Sequence, residues 1–105
     1  MITVRFQQSG QKLVAFSVSG HAGYADRGQD IVCASVSSVV QLTANAITEQ
    51  FHTAAKVTVE EKRVSLRLPA QAGKESVLLL EALKQHLAFL AEDYQNTIQI
   101  FVSEE

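Results

Sequence analysis

Ile2, Val4 and Phe6 alternate with Thr3, Arg5 and Gln7, the two-residue period of a strand with one buried face. Gln8-Ser9-Gly10-Gln11 carries turn chemistry, and Leu13 to Ser19 returns as a second strand rich in Val, Phe and Ala, so the two form a hairpin. Gly20 to Gln29 holds three glycines and no periodicity, which predicts a loop longer than a simple connection. From Ile31 to about Phe51 the period becomes helical, and Val32, Val36, Val39, Val40, Ala44 and Ile47 share one broad face. Ala54 to Glu60 and Arg63 to Leu68 alternate again around Glu61-Lys62 and predict a second hairpin. Pro69 to Gly73 breaks the pattern. Lys74 to about Tyr94 is a second helix with Val77, Leu80, Leu83, Leu87 and Leu90 on its core face, and Thr97 to Val102 closes as a strand. The order strand-strand-helix-strand-strand-helix-strand, with most strands linked by hairpins, predicts an α+β fold with a largely antiparallel sheet.

Composition narrows this picture without changing it. At 105 residues the chain is expected to be one domain, residues 1–105, with a single modest core. A formal net charge of -2 provides no global attraction for nucleic acid or an anionic membrane. Lys56, Lys62, Arg63 and Arg67 are locally basic, but on a hairpin such charges serve first to protect a sheet edge. The apolar stretches are expected to be too short to span a bilayer, and the start of the chain reads as a strand rather than a leader. One cysteine cannot form an internal disulfide, which fits a reducing compartment, so the expected location is the cytoplasm.

Candidate chemistry concentrates in residues 20–33, where a glycine-rich loop carrying His21 runs into a helix start carrying Cys33. A thiol is a useful nucleophile as the thiolate, and a helix N-terminus or a neighbouring histidine favours that form. Asp30 is the expected N-cap, making Cys33 the third helical residue, beside unbonded N–H groups able to hold an oxyanion. Ser37 lies one turn further on the same face, within reach of the sulfur, the histidine or a substrate carbonyl. Each residue has a plainer role: Cys33 as a small core residue, His21 as a solvated loop residue, Asp30 as a cap only, and Ser37 as packing. Their co-location favours chemistry. His52 and His86 fit no metal-ligand spacing with Cys33, and neither a P-loop nor a dinucleotide fingerprint is present, so no cofactor or metal is expected. Leu78-Leu79-Leu80 holds more apolar surface than one core face hides, leaving a remainder for a dimer interface or a thicker core.

The run Gly20-His21-Ala22-Gly23-Tyr24-Ala25, then Gly28, then Asp30-Ile31-Val32-Cys33-Ala34 and Val36-Ser37 closely resembles the signature of the bacterial ribosomal-processing cysteine proteases called Prp. The chain also has that family's short length, leading hairpin, helix after the cysteine, and final helix and strand. Ser35 departs from it, standing where alanine is expected, on a helix face different from that of Cys33. The resemblance implies a protease that removes an N-terminal extension from the twenty-seventh protein of the bacterial large ribosomal subunit, cutting after an aromatic residue in a hydrophobic segment. It implies Cys33 as nucleophile and His21 as general base and acid, with Gly20, Asp30 and Ser37 at supporting positions. It further implies a homodimer and a mobile loop over the active site. Two rival functions share the same residues: a non-enzymatic assembly factor that clamps a ribosomal protein tail, and a thiol redox sensor. The sensor lacks a resolving cysteine within the chain.

Overall fold

In the computed structural model the described residues are 1–20 and 27–105, with the side chains of 27–30 outside the description. Five strands form one sheet in the order β3-β4-β2-β1-β5. They are β1 (Ile2–Ser9), β2 (Lys12–Ser19), β3 (Lys56–Glu60), β4 (Arg63–Arg67) and β5 (Ile98–Glu104). The β1–β2, β2–β4 and β3–β4 pairs are antiparallel, and β5 alone runs parallel to its neighbour β1. Two helices, α1 (Arg27–Asn45) and α2 (Lys74–Asp93), contribute to one core with the sheet. The expected α+β, largely antiparallel architecture is what forms.

The alternating strands turn one side inward. Val4 and Phe6 of β1, Phe16 of β2, Leu66 of β4 and Ile98 of β5 are buried with Val32, Val36 and Val40 of α1 and Leu80, Leu83 and Leu87 of α2. The Phe6 and Phe16 rings meet tilted, with centroids 6.3 Å apart. In β2 the alternation slips: Leu13 and Phe16 are both buried although three positions separate them. The register explains it. Gln7 pairs with Ala15 but Gln8 pairs with Leu13, so Val14 is an extra residue in a bulge that restores Leu13 to the core side.

After Asn45 the backbone widens into a π-helical turn, Ala46–Gln50, closed by the Phe51 N–H donating to the Ala46 carbonyl at 2.9 Å. That turn keeps Ile47 fully buried. The helical stretch Ile31–Gln50 is long and apolar enough to cross a membrane by length and composition, which corrects the expectation that no segment is. Ser, Thr, Gln and Ala interrupt its apolar runs without adding charge, and Glu49 is its one charged residue. Here its apolar side lies in the common core, through Val32, Val36, Val40 and Ile47.

Candidate active site

β2 ends at Ser19, and Gly20 begins the segment that leads to α1. Gly20 has φ +75°, and a Cβ on it would lie 2.7 Å from the Met1 carbonyl oxygen. Its N–H donates to the Lys62 carbonyl in the β3–β4 turn at 3.2 Å. Only glycine satisfies both the positive φ and the close approach. The residue before His21 is therefore fixed between the chain start and the second hairpin. His21 itself lies outside the described residues, so its distance from Cys33 is not part of this geometry.

The helix start differs from expectation. α1 begins at Arg27, which makes Asp30 its fourth residue rather than its N-cap and Cys33 its seventh rather than its third. An α-helix leaves only the N–H groups of its first turn without an intrahelical acceptor. The Cys33 N–H falls beyond them, within the helical ladder, and the dipole effect fades past the first turn. The polar, glycine-containing run Arg27-Gly28-Gln29 reads as loop by propensity, yet it is incorporated into the helix. The Asp30 side chain lies outside the described residues.

Cys33 is half-buried and packs against the core cluster between buried Val32 and Val36. Ser37, one turn further, is exposed. Ser35 projects elsewhere: it lines a shallow surface groove with Ser38, Leu42 and His86, consistent with the expected separation from the Cys33 face. His52, at φ 52°, is exposed after the π turn, and His86 is exposed on α2. Neither belongs to a group of three or more His, Cys, Asp or Glu side chains among the described residues.

Sequence reading missed the surface next to this face. A groove of about 280 Å³ lies between α1 and the second hairpin, with Val57, Val59 and Val64 on the sheet side and Val36, Val40 and Ala44 on the helix side. Ser37 lines it as well. Val57 pairs with Leu66 and Val59 with Val64, so all four point to the same side of the sheet as the core. Val57 and Val59 nevertheless stay 39% and 73% exposed, because no helix among the described residues covers this end of the sheet. The one available signal was the apolar alternation in a strand whose covering partner the sequence does not specify.

Residues 1–99 match the family model described as cysteine protease Prp. The chain belongs to this family. It is accordingly a cysteine protease of the ribosomal-processing type. The ribosomal processing cysteine protease Prp of Bacillus subtilis (strain 168) is 27% identical over 107 residues, covering 95% of this chain and 96% of that protein. Among solved structures, the Prp protease of S. aureus in complex with a covalently linked product peptide matches with TM-score 0.87 and 26% identity, over 97% of this chain and 99% of that one. The same S. aureus enzyme in complex with a substrate peptide matches equally well, with TM-score 0.87 and 25% identity over the same shares. SMU.848 from Streptococcus mutans shares the fold, with TM-score 0.90 at 24% identity over 100% of this chain and 96% of that one.

Proposed function

We propose that Cys33 is the nucleophile and His21 the general base and acid of an endopeptidase that removes the N-terminal extension of the twenty-seventh large-subunit ribosomal protein, cutting after an aromatic residue. The observation that carries the reading is the chain's single cysteine on the α1 face shared with Ser37, a residue that lines an apolar groove. His21 accepts the thiol proton as the sulfur attacks the scissile carbonyl carbon. The tetrahedral intermediate collapses when His21 donates that proton to the leaving amine, leaving an acyl thioester. Water, deprotonated by His21, then adds to the thioester carbonyl; the carbon–sulfur bond breaks, a carboxylate departs, and the thiol is regenerated. The covalently linked product peptide of the S. aureus relative supports a mechanism with a covalent stage. Gly20 fixes the start of the His21 segment, Asp30 supports the site from the first turn of α1, and the Ser37 hydroxyl serves the substrate carbonyl or the sulfur.

The enzyme works in the cytoplasm as a homodimer, without direct contact to nucleic acid or membrane. Ile31 and Leu42 on α1 and Leu78 and Phe89 on α2 are more than half exposed, at 55%, 65%, 60% and 54%, and supply apolar surface for a second copy. The test of the reaction is direct. The protein and its Cys33→Ala form are incubated with a peptide spanning the extension, and products are identified by mass. The expected result is one cut by the wild type, after an aromatic residue, and none by Cys33→Ala. Near-normal turnover by Cys33→Ala overturns the mechanism.

A further inference from the structure

We propose that the hollow between the bulged end of β2 and the start of α2 binds a carboxylate carried on a compact apolar group. It lies at the opposite end of β2 from Gly20, and none of its lining residues belongs to α1. The path of the chain creates it. The Leu68 N–H donates to the Val14 carbonyl at 2.8 Å, which ties the chain to β2 one residue beyond Arg67, and Val14 is the extra residue of the β2 bulge. Pro69 has no N–H to continue the pairing, and the Ala72 N–H donates to the Pro69 carbonyl at 3.1 Å as the chain turns towards α2. That turn leaves a cavity of about 380 Å³, within the roughly 300–1,000 Å³ of small-molecule sites. Val14, Leu68, Pro69 and Val77 give it an apolar side, and Lys12 and Arg67 a cationic one.

The charged residues of the lining identify the ligand. The Arg67 guanidinium is already arranged as a carboxylate receptor. Its Nη1 donates to the Gln7 Oε1 at 3.2 Å across the small side chain of Ala15, which pairs with both residues in the sheet, and its Nη2 pairs with the Glu105 carboxylate. The bond to Gln7 steadies the guanidinium, and Glu105 marks the place that an incoming carboxylate takes. Glu105 is easily displaced. The two side chains of the pair are 49% and 30% exposed, and an exposed ion pair is weak. The Glu105 N–H is held by the Gln8 carbonyl at 2.9 Å, so only its side chain has to move. Lys12 has no ion-pair partner among the described residues, so a ligand carboxylate gains a second cation that Glu105 leaves unused. A neutral hydrocarbon would waste Lys12 and Arg67, and a bare polyanion would waste the apolar side. A free organic acid and the last residue of a polypeptide both offer the required chemistry, and the test separates them.

The experiment titrates the isotope-labelled full chain and follows its backbone amide signals by nuclear magnetic resonance. The probes are N-acetyl-leucine, N-acetyl-leucine amide, and an acetylated triglycyl-leucine peptide with a free carboxylate. N-acetyl-leucine is expected to shift the amides of Lys12, Ala70 and Val77 saturably, and its amide to leave them in place. Arg67→Gln should weaken the acid about tenfold, the scale of a hydrogen bond to a charged group. Ala70→Trp, at an exposed position of the lining, should weaken it similarly by filling the space. Glu105→Gln should tighten it by up to about fivefold, because it removes the internal competitor. That substitution changes only an exposed side chain, so it keeps the test decisive if either of the others unfolds the protein. Tighter binding of the peptide than of the free acid assigns the site to a polypeptide end, and equal or weaker binding assigns it to a free organic acid. The proposal is overturned if the acid gives no saturable shift, if acid and amide bind alike, or if the affinity for the acid is the same in Glu105→Gln as in the wild type.

Discussion

Replacing Gly20 by alanine should damage this protein more than replacing Gly10, although both glycines have a similar positive φ. Gly10 sits in the β1–β2 turn at φ +64° with nothing within 4 Å of where a Cβ would stand, and Gly20 has φ +75° with the Met1 carbonyl oxygen 2.7 Å from that position. A non-glycine residue in this left-handed region costs about 1–2 kcal/mol, and that cost is common to both substitutions. Gly20→Ala must also push Met1 aside. Met1 is 45% exposed and able to move, but it leads directly into Ile2, whose N–H donates to the Thr97 carbonyl at 2.9 Å. Loosening that hydrogen bond adds about 1 kcal/mol. The expected losses are thus about 1–2 kcal/mol for Gly10→Ala and about 2–3 kcal/mol for Gly20→Ala. For a domain near this size each kcal/mol corresponds to roughly 4–8 °C of melting temperature, so the two variants should melt about that far apart. Activity should separate them further. Gly10→Ala should keep the wild-type kcat/KM, whereas Gly20→Ala, immediately before His21, should lose about tenfold or more, the scale on which a small misplacement of a catalytic group acts. Thermal denaturation followed by circular dichroism and peptide-cleavage kinetics provide both readouts. Equal melting temperatures and equal kcat/KM for the two variants would refute the idea that Gly20 anchors the histidine segment.

Core truncation offers a test of the helix–sheet layer. Leu87 is fully buried in α2, and Leu87→Ala should cost about 2–5 kcal/mol, read as a lower urea midpoint at unchanged slope. The outward helical surface offers another. Leu42→Glu combined with Phe89→Glu places two charges among exposed apolar side chains and should convert a dimer to a monomer in sedimentation equilibrium while leaving the melting transition cooperative. A dimer that persists in the double variant would exclude this surface as the interface.

Local chemistry and tertiary context divide what the sequence makes legible. The strand boundaries fall close to expectation because each hairpin is bracketed by its own turn residues, Gly10-Gln11 in the first and Glu61-Lys62 in the second. The parallel pairing of β5 with β1 has no such local mark, since it depends on where the chain returns after α2. Asp30 is a sound N-cap by residue type, but Arg27-Gly28-Gln29 join the helix ahead of it, and the cost of a glycine there is small enough for context to override. The widening after Asn45 likewise has no signature in Ala46-Ile47-Thr48; it shows only in the Phe51 to Ala46 hydrogen bond. Of the candidate site, the cysteine, its helix and the Ser37 spacing are readable, because i and i+4 share a face wherever the helix begins. The groove is not, because the alternation of Val57 and Val59 marks an apolar side without saying what lies over it.

That uncovered side is itself informative about function. β3 is an edge strand, and an edge carrying exposed valines is a template for unwanted pairing with other chains. The chain limits the hazard in two ways: β3 is five residues long, and Lys56 and Glu60 stand at its two ends, with Glu61, Lys62 and Arg63 following. Those charges are placed around the valines rather than among them. A Thr or Lys at position 59 would reduce the hazard at almost no cost to stability, since that site is largely exposed and contributes little to the core. An apolar strip fenced by charge, lining the same groove as Ser37, is what the proposed cleavage within an apolar segment of substrate requires.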